Sequence, residues 1–340
     1  MNKGQKKLVI AGILAGLMLA AMVFSGCKAR NGKVSASGYA FNTYVTVTIY
    51  GMNEKEAYEM AQGAIALCGE YELLFSRTAE NSELYKLNNA GSMQVSAKLY
   101  ELINKAYYWS EQTEGAVNVA VGALSSSWEF VTPPYKIPMQ EELDNALKNV
   151  DYRSISFGAD NCINTGGVII DLGAFAKGYI ADRLKEYLLD NGVKSAIIDL
   201  GGNILCVGGK YEDGQTKNFT LGIQKPFSDS GEIIAKVSLM DMSLVTSGCY
   251  QRYFTKDDIF YHHILDADTG MPVDNGLMSV TIISKESVDA DALSTACFVM
   301  GLEAGMEYID GFEDIYAVFV TEDYRVHLSQ GAEKYVTILE

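Results

Sequence analysis

The second half of the chain restricts the fold most, because apolar strand-like segments follow one another there with few helices between them. From Arg153 onward the predicted strands are 155–157, 168–172, 195–200, 219–223, 233–239, 280–283, 315–320 and 335–339. Helices interrupt them only at about 175–191 and 290–301. Adjacent strands with two isolated helices indicate an α+β fold with mixed, largely antiparallel sheets and flanking helices, not alternating βαβ units.

The first half of the chain is richer in helices. Residues 39–50 alternate Val and Thr and predict a half-buried strand that ends at Gly51. Helices are predicted from an N-cap at Asn53 to about Glu72, at 97–113 and at 140–150. We expect one domain, 39–340, softly divided near residue 150 into two lobes with a ligand cleft between them.

Three lysines and an apolar run open the chain, which is typical of a secretion signal. The run extends from Leu8 to Phe24 and ends at Ser25-Gly26-Cys27. Small residues directly before a cysteine predict a lipoprotein signal peptide, residues 1–26, an acylated Cys27 and a flexible tether over 27–38. The predicted location is the extracytoplasmic face of the cell membrane, with the protein held by lipid. The alternative is an uncleaved membrane anchor, because the run approaches the length that spans a bilayer.

The chain is acidic, with a formal net charge of −16 over 340 residues. Removal of residues 1–26 changes this charge to −19, because that segment carries three lysines and no acid. An acidic surface repels phosphate backbones and anionic headgroups, which excludes nucleic-acid partners and a polybasic membrane contact. The cysteines after Cys27 form no C-x-x-C pair and are interpreted as small buried hydrophobic residues, with a disulfide left open: Cys68, Cys162, Cys206, Cys249 and Cys297.

The segment 171–178, Asp-Leu-Gly-Ala-Phe-Ala-Lys-Gly, is the first of three that predict a site for polyphosphate and metal. Asp171 is expected to end an apolar strand, and Ala174 to Lys177 to begin a helix whose first N–H groups attract anions. The bend also allows the Ala174 carbonyl to face outward as a neutral metal ligand. Taken alone, the segment is explained equally well as an ordinary strand–helix turn with an exposed lysine.

The second segment contains Asp291 and Thr295, which lie four residues apart at the start of a predicted helix and therefore share one face. A carboxylate, a hydroxyl and a backbone carbonyl make an all-oxygen site that suits Mg²⁺, with Mn²⁺ as the second choice. The total of three histidines and the absence of a cysteine pair argue against zinc. The alternative is that Asp291 only caps the helix and Thr295 packs inside it.

The third segment contains His263, which precedes Ile264-Leu265-Asp266 and a turn at Asp268-Thr269-Gly270. We expect a strand that leads into this turn. A neutral imidazole near pH 7 can accept the proton of an attacking hydroxyl. The adjacent His262 should lie on the opposite strand face, so only one of the two rings can serve.

In their order along the chain and in their residues, these segments resemble the FAD:protein FMN transferase family, the ApbE-type flavin transferases. The resemblance extends from about Phe41 to the C-terminus. Supporting matches are Phe75-Ser76, Ser82-Glu83-Leu84, Leu87-Asn88, Thr113-Glu114-Gly115-Ala116, Asp199-Leu200-Gly201-Gly202-Asn203 and Thr246-Ser247-Gly248. The resemblance implies His263 as the general base. It implies metal ligands at Ala174, Asp291 and Thr295, and FAD contacts at Asp171, Lys177 and Leu265.

The resemblance implies further flavin contacts at positions where this chain departs from the family's usual residues. In Ala116-Val117-Asn118, the last two residues replace an aromatic residue and a carboxylate. Phe41 matches a common methionine beside the flavin, and Thr78 a common tyrosine. Family members that mainly hydrolyse FAD tend to differ at the tyrosine position, so Thr78 bears on the reaction outcome.

The implied reaction is attack of an acceptor threonine on the FMN-side phosphorus of FAD, which leaves AMP and a phosphoester-linked flavoprotein. The metal neutralises pyrophosphate charge while Lys177 adds positive potential. The expected partners are FAD and an acceptor flavoprotein, a subunit of a membrane redox complex. Two alternatives remain: a metal-dependent FAD pyrophosphatase, and a non-enzymatic flavin-binding lipoprotein that needs neither His263 nor a metal.

Overall fold

The computed structural model describes residues 32–212, 214–228 and 231–339, so the predicted signal peptide and Cys27 lie outside the described residues. The α-helices of the described part are α1 (Glu54–Phe75), α2 (Glu83–Ala90), α3 (Ala97–Gln112), α4 (Gly122–Ser127), α5 (Gln140–Leu147), α6 (Ala176–Asp190), α7 (Ser287–Met300) and α8 (Leu302–Asp310). Short 3₁₀ turns occur at Tyr152–Ser154, Ala159–Asn161 and Ala332–Lys334. Each long helix of the sequence prediction is therefore present, with ends within about three residues.

The strands of the first half and the middle of the chain are β1 (Lys33–Ala40), β2 (Thr43–Tyr50), β3 (Ser92–Gln94), β4 (Ser156–Phe157), β5 (Cys162–Asn164), β6 (Ala196–Leu200), β7 (Asn203–Val207), β8 (Lys210–Glu212) and β9 (Gln215–Lys217). Those that follow are β10 (Phe219–Gln224), β11 (Ile233–Leu239), β12 (Ser243–Gly248), β13 (Tyr253–Lys256), β14 (Ile259–His262), β15 (Leu277–Ser284), β16 (Tyr316–Thr321), β17 (Val326–Leu328) and β18 (Val336–Ile338).

An eight-stranded sheet forms the centre of the fold, in the spatial order β1-β2-β6-β7-β12-β15-β16-β17. Every neighbouring pair in it is antiparallel. A separate antiparallel sheet has the order β10-β11-β18, and β13 and β14 form a hairpin of their own. The prediction of an α+β fold with largely antiparallel sheets and flanking helices is confirmed.

Both faces of the large sheet are buried at its central strands, because successive residues there enter different cores. In β15, Ile282 belongs to the core under the helices, and Ile283 to the core under the three-stranded sheet. The helix-side core includes residues from Ala36 to Phe319. The expected division near residue 150 therefore does not separate two cores, since β2 from the N-terminal part pairs directly with β6.

The predicted tether is wrong for residues 33–38, which belong to β1 and pair with β2 along its whole length. The small and polar residues that indicated a tether lie on a two-sided strand. Ser35 and Ser37 bond to Thr48 and Thr46 on one face, at 2.8 and 3.0 Å, while Ala36 is buried on the other. A strand with one polar face and only small residues on its buried face gives a weak apolar signal.

The predicted strand over 39–50 is interrupted by a hairpin turn. Phe41 and Asn42 have φ values of 53° and 58°, and the flanking Ala40 and Thr43 pair with each other. Positive φ at both central residues is the geometry of a two-residue type I′ hairpin. The Phe41 N–H donates to Glu72 Oε1 at 3.0 Å, which fixes this turn to α1.

Residues 168–172 do not form the predicted strand, although three of their four apolar side chains, Val168, Ile170 and Leu172, are buried. The side-chain amide of Asn88 replaces a neighbouring strand: it donates to the Ile170 carbonyl and accepts from the Ile170 N–H, both at 2.9 Å. An isolated parallel bridge joins Ile169 to Val121. The expectation that Asp171 ends a strand is therefore wrong, because its neighbours bond to a side chain and a loop.

Each of the five described cysteines is a free thiol, and four of them are buried. Burial raises the pKa of the Cys206 and Cys297 thiols to about 12. These thiols therefore behave as the small hydrophobic residues that the sequence indicated. Within the described ranges, no helix is both long enough and apolar enough to cross a bilayer.

Helices α6 and α7 approach each other closely at Gly178, where an added Cβ would lie 2.3 Å from the Ser287 carbonyl oxygen. We expect Gly178→Ala to lower the free energy of unfolding by about 1–3 kcal/mol, because backbone must move to admit the methyl group. Gly69→Ala in α1 is the control, since no atom lies within 4 Å of its added Cβ. Its gain in helix propensity should stabilise by up to about 1 kcal/mol. Equal urea midpoints for the two variants would contradict the close contact.

Candidate active site

The start of α6 contacts a buried carboxylate of α7. Lys177 Nζ lies 3.0 Å from Asp291 Oδ1, and the Gly178 N–H donates to Asp291 Oδ2 at 3.0 Å. The Asp291 side chain is only 3% exposed, whereas that of Lys177 is 27% exposed. The sequence predicted an anion site at this helix start, and in the structure the Asp291 carboxylate is the anion that lies there.

The two acids of the Asp289-Ala290-Asp291 segment have different partners. Asp289 Oδ1 accepts from Trp109 Nε1 at 2.6 Å and lies 2.7 Å from Lys105 Nζ. Both partners belong to α3, so Asp289 attaches α7 to that helix. Asp291 is the acid that faces α6, and its assignment as a metal ligand stays a prediction.

Thr295 lies one turn after Asp291 and is only partly buried. Its Oγ1 is 3.1 Å from Ser247 Oγ, which also contacts Ser294 Oγ at 2.8 Å. Ser247 was not assigned from the sequence, although its Thr-Ser-Gly segment was noted. Its contact with Thr295 now places β12 beside the predicted metal ligands.

The predicted metal donors are chemically suited to a hard cation. Asp291 offers a carboxylate that contacts Lys177, Thr295 offers a partly exposed hydroxyl, and Ala174 is partly exposed just before α6. These oxygens leave room for water and phosphate ligands, as Mg²⁺ requires. In the described part of the chain, no group of three or more His, Cys, Asp or Glu side chains could hold a metal, and the predicted set contains only one such residue.

The Asp171 carboxylate is paired with an arginine that the sequence did not single out. Arg77 Nε donates to Asp171 Oδ2 at 3.0 Å, and the Gly173 N–H donates to Oδ1 at 2.8 Å. Arg77 also donates to Ser126. Thr78, the next residue, is exposed. Arg77 therefore brings Asp171, its ion-pair partner, close to Thr78, its neighbour in sequence. These two residues were assigned separately to the flavin from the sequence.

The two adjacent histidines have different surroundings. The ring of His262 is buried at the end of β14, with Nε2 2.8 Å from the Val273 carbonyl and Nδ1 accepting from the Ile264 N–H at 3.3 Å. Because Nδ1 accepts, Nε2 carries the proton and donates to Val273. Both ring nitrogens of His262 are therefore used in the fold.

His263 follows the last residue of β14 and is partly buried. Its Nδ1 is buried and has no hydrogen-bond partner within the described ranges. Burial and then the positive charge of Arg252 lower the pKa of His263 to about 3, and the charge of Lys177 contributes in the same direction. The ring is therefore neutral at pH 7.

Residues 41–319 match the sequence profile of the ApbE family. The chain belongs to this family. It is 34% identical over 332 residues to the FAD:protein FMN transferase of Treponema pallidum, which covers 93% of this chain and 92% of that protein. An FAD:protein FMN transferase of Klebsiella pneumoniae is 33% identical over 301 residues, which cover 87% of this chain and 91% of the relative.

Solved ApbE structures have the same fold. The ApbE protein of Thermotoga maritima superimposes with a TM-score of 0.81 at 30% identity, covering 89% of this chain and 99% of that one. The flavin transferase ApbE from Vibrio cholerae gives a TM-score of 0.76 at 25% identity, with the same coverage of 89% and 99%. The α6–α7 site and the His263 loop therefore belong to an ApbE fold.

The ApbE-family departures at Val117 and Asn118 have structural consequences here. Asn118 Nδ2 donates to the Val150 carbonyl at 2.9 Å, and Asn118 Oδ1 accepts from the Ala120 N–H at 2.8 Å. A carboxylate could not donate to that carbonyl. Val117 is only 2% exposed, whereas Ala116 is partly exposed. The flavin contacts at these three positions stay predictions.

The remaining predicted FAD neighbours lie in two other places. Leu265 packs against the small core of Trp128 and Phe254 and forms an isolated bridge with Pro272. Phe41 is at the β1–β2 turn, partly buried against the helix-side core. The structure thus joins Lys177 with Asp291, and Arg77 with Asp171, while the flavin contacts of Phe41 and Leu265 stay predictions.

Proposed function

We propose that this chain transfers FMN from FAD to a threonine hydroxyl of an acceptor protein. The observation that carries the proposal is the 3.0 Å contact of Lys177 with the Asp291 carboxylate in an ApbE fold, together with a neutral His263 whose pKa the charge of Lys177 helps to lower. Relatives over most of the chain are named FAD:protein FMN transferase. The bond that forms joins the threonine oxygen to the FMN-side phosphorus, and the bond that breaks releases AMP.

The residues of the chain have separate tasks in this reaction. Lys177 is partly exposed and can turn from Asp291 toward a phosphate oxygen of FAD. The hydroxyl proton of the acceptor passes to His263, and we assign it to Nε2 because Nδ1 is buried. Negative charge on the bound pyrophosphate offsets the charges of Arg252 and Lys177, which raises the basicity of the ring when substrate is present.

Asp291, Thr295 and the Ala174 carbonyl would hold a divalent cation, Mg²⁺ in preference and Mn²⁺ as the second choice. When bound, such a cation supplies charge neutralisation at the pyrophosphate oxygens. The role of the chain is to present a carboxylate and a hydroxyl from α7 and a carbonyl from the turn before α6, the helix that α7 contacts. Ser247 orients the Thr295 hydroxyl through their 3.1 Å contact.

The second candidate function is hydrolysis of FAD to FMN and AMP. It is favoured by Thr78, which is exposed beside the Arg77–Asp171 pair where the family commonly has tyrosine. Water would then replace the acceptor hydroxyl, with His263 and the cation in the same roles. Both reactions can take place at one site, because they differ only in the hydroxyl that attacks the phosphorus.

Incubation of the mature protein with FAD, Mg²⁺ and a candidate acceptor protein tests the function. A mass gain of FMN on the acceptor, together with stoichiometric AMP, supports transfer. AMP and free FMN without acceptor labelling support hydrolysis instead. FAD that binds without producing AMP would contradict both enzymatic functions and favour a flavin carrier.

The cellular context is also a proposal: a lipid at Cys27 holds the domain on the extracytoplasmic face of the membrane. There it would meet an acceptor subunit of a membrane redox complex. The Ser25-Gly26-Cys27 signal and the acidic composition, which disfavours a polybasic membrane contact, support the lipid as the proposed attachment.

We expect Cys27→Ser to release the protein from the membrane or leave its signal uncleaved, because the serine hydroxyl cannot receive the thioether lipid. Detergent phase partitioning of parent and variant measures the effect, with a Cys162→Ser variant as the control for loss of a partly exposed thiol. Equal partitioning of the Cys27 variant after confirmed signal cleavage would refute the lipid anchor.

A further inference from the structure

We propose that Asp182 is a positioning residue that holds α7, the helix of Asp291 and Thr295, in register with α6. The proposal rests on the metal site of the proposed function. Asp182 Oδ1 accepts the Ser287 N–H at 2.8 Å, and Oδ2 accepts the Val288 N–H at 2.9 Å. Asp182 belongs to α6 and is 6% exposed, so this contact is a buried link between the two helices.

The first N–H groups of α7 have no cap of the usual kind. Its own N-cap residue, Glu286, makes no side-chain cap hydrogen bond. Helix starts normally receive an oxygen from a Ser, Thr, Asp or Asn at that position. Here Asp182 supplies two oxygens from another helix, so capping α7 also fixes its position against α6.

A second contact between α6 and α7 lies one helical turn away from the Asp182 contact. Gly178 lies four residues before Asp182, and Asp291 lies four residues after Ser287. Because the Gly178 N–H donates to Asp291, two successive turns of α6 contact two successive turns of α7. Two contacts along the helices oppose both sliding and rotation of α7, and sliding would change the distance from Asp291 to the Ala174 turn.

The same helix start is attached to the large sheet. Ser287 Oγ donates to Asn203 Oδ1 at 2.8 Å, and Ser243 Oγ lies 2.8 Å from Ser287 Oγ. Asn203 and Ser243 belong to the neighbouring strands β7 and β12. The N-terminus of α7 is thus held from the sheet side and from α6, whereas the Thr295 side remains partly exposed for a ligand.

A contribution to the free energy of folding does not by itself explain why a buried carboxylate stands at position 182. Burial raises the pKa of Asp182 to about 7, because removal from water disfavours the charged form. A group with a raised folded-state pKa contributes stability below its unfolded pKa and loses it as the pH rises toward the folded value. Near neutral pH the carboxylate therefore adds little net stability, whereas its two oxygens each accept one N–H group of α7.

The test replaces Asp182 by residues that lack the second acceptor. Asp182→Asn keeps the shape but places an amide NH₂ against one of the two N–H groups. We expect Mn²⁺ to bind about 10- to 100-fold more weakly, as for residues that orient metal ligands. Asp190→Asn, at the exposed end of the same helix, is the matched control and should bind Mn²⁺ as the parent does. Electron paramagnetic resonance of free Mn²⁺ measures binding by the mature protein without FAD.

A positioning role predicts a pattern that misfolding would not produce. Saturating Mn²⁺ should restore most of the FAD turnover of Asp182→Asn, and Asp182→Glu, which keeps two acceptor oxygens, should recover part of the Mn²⁺ affinity. If the amide prevents folding, Asp182→Ser carries the same test, since it removes the acceptors without adding an opposed N–H. Parent-like Mn²⁺ affinity in a folded Asp182→Asn or Asp182→Ser protein would overturn the positioning role alone. Failure of the parent to bind Mn²⁺ would overturn the metal site and this proposal together.

Discussion

Replacing Asp291 by alanine is expected to lower metal-dependent turnover of FAD by about 10³-fold or more. Asp291 is the only charged residue among the proposed metal donors, and charge neutralisation at a phosphoryl group is worth several kcal/mol. Each 1.36 kcal/mol corresponds to a tenfold change in rate. Initial rates of AMP release as a function of Mg²⁺ concentration measure the loss.

Two further variants separate charge from geometry at this position. Asp291→Asn keeps an oxygen near the proposed metal but removes the charge, so it should resemble the alanine variant. Thr295→Ala removes a neutral donor and should be several-fold less damaging. A parent rate with unchanged metal dependence in Asp291→Ala would show that the cation, if needed, binds elsewhere.

Loss of the fold should not account for the Asp291→Ala defect. Removing one member of a buried pair is costly when the other charge stays buried, but the Lys177 side chain is 27% exposed and can reach water. The Gly178 N–H loses its partner, which costs about 1–3 kcal/mol. Thermal unfolding of the variant should therefore remain cooperative, and a protein that is unfolded at the assay temperature would disqualify the rate comparison in favour of Asp291→Asn.

Elements with a strong local pattern could be predicted from the sequence. The strand 233–239 has the predicted bounds, because its apolar residues alternate and Gly231 precedes it. The helix α1 follows the predicted Asn53 cap, whose side chain accepts from the Lys55 N–H at 3.0 Å. In such segments the residues that decide the structure are neighbours in sequence.

The failures occur where distant residues decide the structure. Residues 168–172 look like a strand, but Asn88, more than 80 positions away, provides their hydrogen bonds. Residues 33–38 look like a tether, and only pairing with β2 makes them a strand. Composition and periodicity contain no information on these partners.

The candidate site shows the same difference between local sequence patterns, which can be read, and contacts between distant residues, which cannot. Spacing alone left Lys177, Asp291 and Thr295 open between a site and ordinary structural roles, and the resemblance to the family selected them; their roles stay predictions. Their pairing could not be predicted, since Lys177 and Asp291 lie 114 positions apart. Arg77 and Ser247 were missed because one arginine after a helix and one serine in a strand have no distinguishing spacing.

The second large effect is expected for His263→Ala, which should slow transfer to threonine on the order of 10²–10⁴-fold while changing FAD affinity little. A general base acts on the acceptor hydroxyl, so its loss affects the chemical step and not the binding of FAD. Single-turnover transfer rates and FAD dissociation constants measure the two quantities separately. With a pKa of about 3 in the free protein, His263 should cause no loss of kcat/KM between pH 8 and pH 5.

His262→Ala is the matched control, because it removes the same ring from the adjacent position. His262 bonds to Val273 and Ile264 and packs against Phe298, so its loss should lower stability by about 1–3 kcal/mol with only a mild effect on the transfer rate of folded protein. If His262→Ala were the slower transferase, or His263→Ala transferred FMN normally, the base assignment would be wrong. Asp266 would then be tested next, although its Oδ1 already accepts the N–H groups of Asp268 and Thr269 at 2.7 and 3.2 Å. Asp266 is placed second because its Oδ1 already holds the turn through those two bonds.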